Sequence, residues 1–105
     1  MLLLLLAGCS SIFDGEAGAM ADLERYAREH QQYDRGPMAQ IRYLFVDNPA
    51  TECRANGLQQ AYAAGKVEAC AVLTDPCIII LPWAPTRRMV TEEQLHCRYG
   101  AWHGP

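Results

Sequence analysis

Apolar and polar positions along this chain fall into blocks with different periods, and each block predicts an element. Met20, Leu23, Ala27 and His30, flanked by Tyr26 and Tyr33, recur at helical spacing and predict an amphipathic helix over about 20–34, stopped by Gly36 and Pro37. "IRYLFVD" at 41–47 is β-branched and aromatic and ends at Asp47-Asn48-Pro49, so it reads as a strand closed by a turn. Residues 50–65 predict a loop, interrupted at Asn56-Gly57, and then a short helix in "LQQAYAAG" with Gly65 as its C-terminal cap. Residues 67–73 and 77–81 predict two strands around a Thr74-Asp75-Pro76 turn, and the unbroken "CIIIL" marks the second as buried on both faces. "PWAPTRR" reads as a loop, followed by a helix that starts between Thr86 and Thr91 and runs to about Tyr99. The fold class expected is α+β: a small antiparallel sheet with an N-terminal and a C-terminal helix packed on one face.

The opening "MLLLLLAGCSS" obeys no such period. A leucine run this short cannot span a bilayer, whereas an apolar core followed by small residues has the form of a removable export signal. Leu6-Ala7-Gly8-Cys9 resembles the lipobox of bacterial lipoproteins. That resemblance implies that residues 1–8 are a signal peptide and that Cys9, acylated, becomes the first mature residue and the membrane anchor. The basic residues that usually precede such a core are missing, so the true start is expected upstream. Ser10, where a retention signal would carry Asp, implies delivery to the outer membrane, facing the periplasm. Residues 9–19 then form a tether and 20–105 a single small domain.

Composition narrows the partners. A formal charge of -3 and no basic run give no electrostatic case for nucleic acid. Of five cysteines, Cys9 is set aside for lipid, which leaves Cys53, Cys70, Cys77 and Cys97, an even number in a small exported domain. Two disulfides are the natural reading, since no C-x-x-C pair supports a zinc site of cysteines. In the expected hairpin Cys70 lies opposite a residue beyond Cys77, which argues against joining those two. Two pairings remain, and Cys53 with Cys70 plus Cys77 with Cys97 is the one preferred.

Chemistry is concentrated in "EEQLHCRYGAWHG" at 92–104. In a zinc-protease helix two histidines one turn apart converge on one ion, and a glutamate beside the first acts as general base. Here Glu92 stands where the first histidine would be, Glu93 keeps the base position and His96 the second ligand position, and His103 lies seven residues further on. Together with "ACAVLTDPCIIILP", this stretch resembles a group of small exported bacterial proteins with a His-Glu-x-x-His-Cys-x-x-Gly-x-x-His pattern. The resemblance covers about residues 41–104. It implies a zincin-like metal site: zinc as cofactor, Glu92, His96 and His103 as ligands, and Glu93 as base for peptide hydrolysis. Zinc accepts glutamate oxygen, but a negative ligand weakens its acidification of bound water, so a variant or degenerate site is expected.

Other readings stand beside this one. Thr91 and Gln94 fit a capping box that would put Glu92 and Glu93 in the first turn, favoured by the helix dipole. Trp102 could anchor the core, and His30 reads as a surface or partly buried histidine. Glu93-x-x-His96 is half of a di-iron pattern without its second copy. Cys97 beside His96 makes a poor nucleophile pair, since neighbours on a helix point about 100° apart. The alternative function is a non-catalytic envelope lipoprotein that binds another envelope protein through aromatics such as Trp83 or Trp102.

Overall fold

The computed structural model of the chain describes residues 18–37, 39–57 and 68–102. The expected lipobox with Cys9, most of the expected tether, the expected helix at 58–65 and His103 lie outside these residues. No helix among the described residues is long and apolar enough to cross a membrane.

The α+β class holds, with helix α1 over 18–29, strand β1 (Ile41–Phe45), helix α2 (Pro49–Ala55), strands β2 (Cys70–Val72) and β3 (Cys77–Leu81), and helix α3 (Arg87–Tyr99). The sheet, however, is mixed rather than wholly antiparallel. Its order is β1-β3-β2: β2 and β3 form the expected antiparallel pair, while β1 runs parallel to β3 from Ile41 beside Cys77 to Phe45 beside Leu81. No hairpin joins β1 to its neighbour, so nothing local fixes its direction. Cys70 sits opposite Ile80, beyond Cys77, as the hairpin reading requires. β3 is the central strand and is buried along nearly its whole length.

Helices cover both faces of the sheet, not one. Cys53 of α2 packs with Cys70 and Ile80 on one side, while Cys97 of α3 packs with Ala71, Cys77, Ile79 and Leu81 on the other. The helix α2 occupies a stretch expected to be loop. Its local signals are the Asn48 side chain, which accepts the Thr51 N–H at 3.2 Å, and Pro49 in the first turn. Disulfides Cys53–Cys70 and Cys77–Cys97 tie one helix on each face to the sheet, in the preferred pairing.

The first helix begins by residue 18, inside the expected tether, and stops at 29 instead of 34. Beyond it the chain is drawn to the end of α3. Gln32 N–H donates to the Tyr99 carbonyl and Arg35 N–H to the Arg98 carbonyl, each at 2.9 Å. Carbonyls that a helix end leaves unbonded are thereby satisfied. Ala101 N–H donates to the Gln32 side chain at 2.8 Å, and Arg98 Nε to Asp34 at 3.0 Å. The Arg98 hydrogen bond, then the Gly36 amide, hold the Asp34 carboxyl below its usual range. At this junction Gly100 adopts φ +83° and ψ −149°, a conformation almost confined to glycine, and a Cβ there would meet Gln32 Oε1 at 2.6 Å.

Two outcomes follow from this framework. Gly100→Ala should cost about 2 kcal/mol or more, read from the denaturant midpoint, because it adds both backbone strain and a clash. Replacing Cys77 and Cys97 together by Ala should cost roughly 3 kcal/mol, as expected for opening a loop of this length and leaving buried space at the sheet–helix seam.

Candidate functional site

The motif residues sit on the middle and end of α3, and the helix starts earlier than a capping box at Thr91 would require. Thr86 is the N-cap, accepting the Met89 N–H at 3.1 Å. Glu92 and Glu93 are therefore mid-helix, where the dipole of the first turn does not account for them.

Each residue of an α-helix is rotated about 100° from the last, so the disulfide at Cys97 sets where the others point. Val90, Glu93 and Cys97 share the stripe that faces the sheet; Val90 packs against the cluster of Ala71, Ile79 and Leu81. Leu95 and Tyr99 face away from it and pack with Ala27 of α1 and Trp102. Glu92 and His96, four apart, share a stripe between these two. Arg87, Thr91, Gln94 and Arg98 lie on the opposite side, where they line an open groove of ≈ 790 Å³ together with α1 residues and Ile41 and Tyr43 of β1. Neither Glu92, Glu93 nor His96 lines that groove.

Glu93 is the buried acid of the described residues, at 7% exposure. Loss of solvent, and secondarily the neighbouring Glu92 charge, push its pKa from 4.5 up to about 8. At neutral pH its carboxyl is therefore mostly protonated.

His96 is half-buried and held on two sides. Nδ1–H donates to the Gly100 carbonyl at 2.8 Å, and the ring stacks on Trp102 with centroids 4.7 Å apart. Because a carbonyl only accepts, Nδ1 carries the proton in that bond, and in a neutral ring Nε2 is the basic nitrogen. Trp102 is a core anchor at 1% exposure, so it is no docking aromatic, whereas Trp83 is 68% exposed. Cys97 is in a disulfide and has no thiol to act as nucleophile. His30 is exposed, its Nδ1–H bonded to the Tyr26 carbonyl at 2.9 Å and its ring stacked on Tyr26.

Among the described residues no group of three or more His, Cys, Asp or Glu converges as a metal site. Glu92 and His96 are brought to one helical stripe, and His103 lies outside the described residues, one position after Trp102. The two residues that hold His96, Gly100 and Trp102, belong to the motif stretch itself. Gln32 and Asp34, which fasten the end of α3, act through contacts 69 and 64 residues apart in sequence, for which no local signal exists. Comparison with protein-family models, with curated proteins and with solved structures returns no match for this chain.

Burial of Glu93 has a measurable consequence in metal-free protein. The folded state keeps the proton up to about pH 8, while the unfolded state releases it near 4.5. Between those values the folded state binds more protons, so this contribution is full below pH 4.5 and declines as pH rises to about 8. The loss should approach ~1.4 kcal/mol per pH unit in the middle of that window. Denaturant titrations of chelator-treated protein should show it, and Glu93→Gln should flatten the profile and be the more stable form at high pH.

Proposed function

We propose that this chain is a lipid-anchored cell-envelope protein whose C-terminal helix carries a variant zincin-like metal site, with zinc held by Glu92, His96 and His103. The observation that carries the reading is the orientation of His96. Metal-ligating histidines commonly donate their second ring N–H to a carbonyl, which fixes the tautomer and turns the other nitrogen toward the ion. The bond from His96 Nδ1 to the Gly100 carbonyl, with Trp102 against the ring, has this form. Glu92 one turn earlier supplies a carboxylate on the same stripe, a donor that zinc accepts. Glu93 is the candidate base in its ionised form, which a cation held beside it would favour over the protonated form of the metal-free fold. In hydrolysis it would take a proton from water and return it to the leaving amine, while zinc, when bound, would polarise the scissile carbonyl. The lipobox Leu6-Ala7-Gly8-Cys9 supports the anchor, and two disulfides suit an oxidising compartment such as the periplasm.

A second reading, a non-catalytic envelope lipoprotein that works by binding protein, is favoured by one observation. Tyr43, Leu44 and Phe45 of β1 and Trp83, which stacks on Phe45, are large apolar residues at 39 to 68% exposure.

Elemental analysis separates the two. The chain from residue 9 onward, carrying Cys9→Ser and purified from an oxidising compartment without a metal-chelating tag, should contain about one zinc per chain. His96→Ala should lose it. Zinc no higher than in that variant, even after zinc is supplied, would overturn the metal reading and leave the binding one.

A further inference from the structure

The peptide between Gly100 and Ala101 is held on both of its edges. Ala101 N–H donates to Gln32 Oε1 at 2.8 Å, and the Gly100 carbonyl accepts His96 Nδ1–H at 2.8 Å. In a trans peptide these two groups point opposite ways in one rigid plane, so a hold on the N–H edge also aims the carbonyl. The same carbonyl accepts Trp102 N–H at 3.0 Å, which engages its second lone pair in the turn that carries Trp102 against the His96 ring. Gln32 is fixed on both sides of Gly100. Its backbone N–H donates to the Tyr99 carbonyl at 2.9 Å while its side chain reaches Ala101. Glycine alone leaves it room, because a Cβ at position 100 would lie 2.6 Å from Gln32 Oε1 and 3.1 Å from Gln32 Cβ.

We propose that Gln32 is a positioning residue for His96: by holding the Gly100–Ala101 peptide it keeps the ring proton on Nδ1 and makes Nε2 the nitrogen that takes a cation. In water a neutral histidine side chain favours the proton on Nε2, so the Nδ1–H form has to be imposed. Here the carbonyl imposes it, and Gln32 sets the carbonyl. Polarisation acts in the same direction as geometry. A peptide whose N–H donates becomes a stronger acceptor at its carbonyl, so the bond to Gln32 strengthens the bond from His96. A histidine whose second ring N–H is held in this way is fixed in orientation and is the more basic ligand. The cation is the zinc proposed above, so the role in binding rests on that reading, whereas the tautomer belongs to the metal-free protein.

Magnetic resonance of the ring nitrogens reads the tautomer in the chelator-treated chain from residue 9 onward, carrying Cys9→Ser, at a pH where the imidazoles are neutral. Wild-type His96 is expected in the Nδ1–H form. Gln32→Met keeps the length of the side chain but removes the acceptor, and should move the ring toward Nε2–H. Gln32→Glu keeps an acceptor oxygen and should restore Nδ1–H. Asp34→Ala loosens the same junction through Arg98 without touching this peptide, and should leave the tautomer as it is. Zinc affinity, measured by competition with a chelator, should fall about fivefold in Gln32→Met and recover in Gln32→Glu, with both disulfides and the circular dichroism unchanged. A tautomer unmoved by Gln32→Met, or moved equally by Asp34→Ala, would overturn the proposal, as would zinc held equally well by wild type and Gln32→Met. Wild-type protein that takes up no zinc while its tautomer follows Gln32 would sustain the hold on His96 and sink the metal reading alone.

Discussion

The bond between Cys77 and Cys97 governs the rest of this molecule. It joins the first residue of the central strand to the last third of α3, and both partners are wholly buried. A helix has one rotational freedom about its axis, and a covalent tie at one residue removes it. With Cys97 held against the sheet, Glu93 must face the sheet as well, Leu95 and Tyr99 must face α1, and Glu92 and His96 must share the stripe between. Arg87, Thr91, Gln94 and Arg98 are left to line the groove beside β1. A chain with a modest core can therefore present distinct chemistries on several sides of one helix without a large interior to orient it.

The sequence made some of this legible because the relevant signals are local. The apolar run at β3, the hairpin with β2 and the extent of α3 depend on residues close together, and so does the argument that kept Cys70 from Cys77. What escaped was long-range or outweighed. Residues 30–34, assigned to the first helix from their spacing, leave it, and the amides of Gln32 and Tyr33 bind the Tyr99 carbonyl at the end of α3 instead. The parallel direction of β1 depends on a partner more than thirty residues away. In the case of α2, Asn48 and Pro49 suit the turn that ends a strand, although the same pair starts a helix. At the candidate site the motif named Glu92, Glu93, His96 and Gly100, but not Gln32 and Asp34, which hold the end of the helix.

Those groups form a latch of their own. The segment at 32–35 binds the end of α3 through Tyr99 and Arg98 carbonyls, through Asp34 to Arg98, and through the Gln32 side chain to Ala101. Gly100 allows the approach, since any side chain there would collide with Gln32. The same residue gives its carbonyl to His96. The orientation of the imidazole is thus inherited from a contact with the far end of the chain, and the glycine of the motif serves that contact first. A capped helix placed for dipole reasons would need none of this.

Burial of Glu93 is the feature that a purely structural role explains least well. An apolar residue at that position, between Val90 and Cys97, would join the core without the desolvation that raises the carboxyl to about pH 8. Retaining an acid there costs stability as pH rises toward the folded value, and no cation or hydrogen bond appears among the forces that set its pKa. Glu92, the next residue, adds to the cost through repulsion. A carboxyl buried at that turn weakens the metal-free fold as pH rises, and a cation bound beside its ionised form would offset that cost.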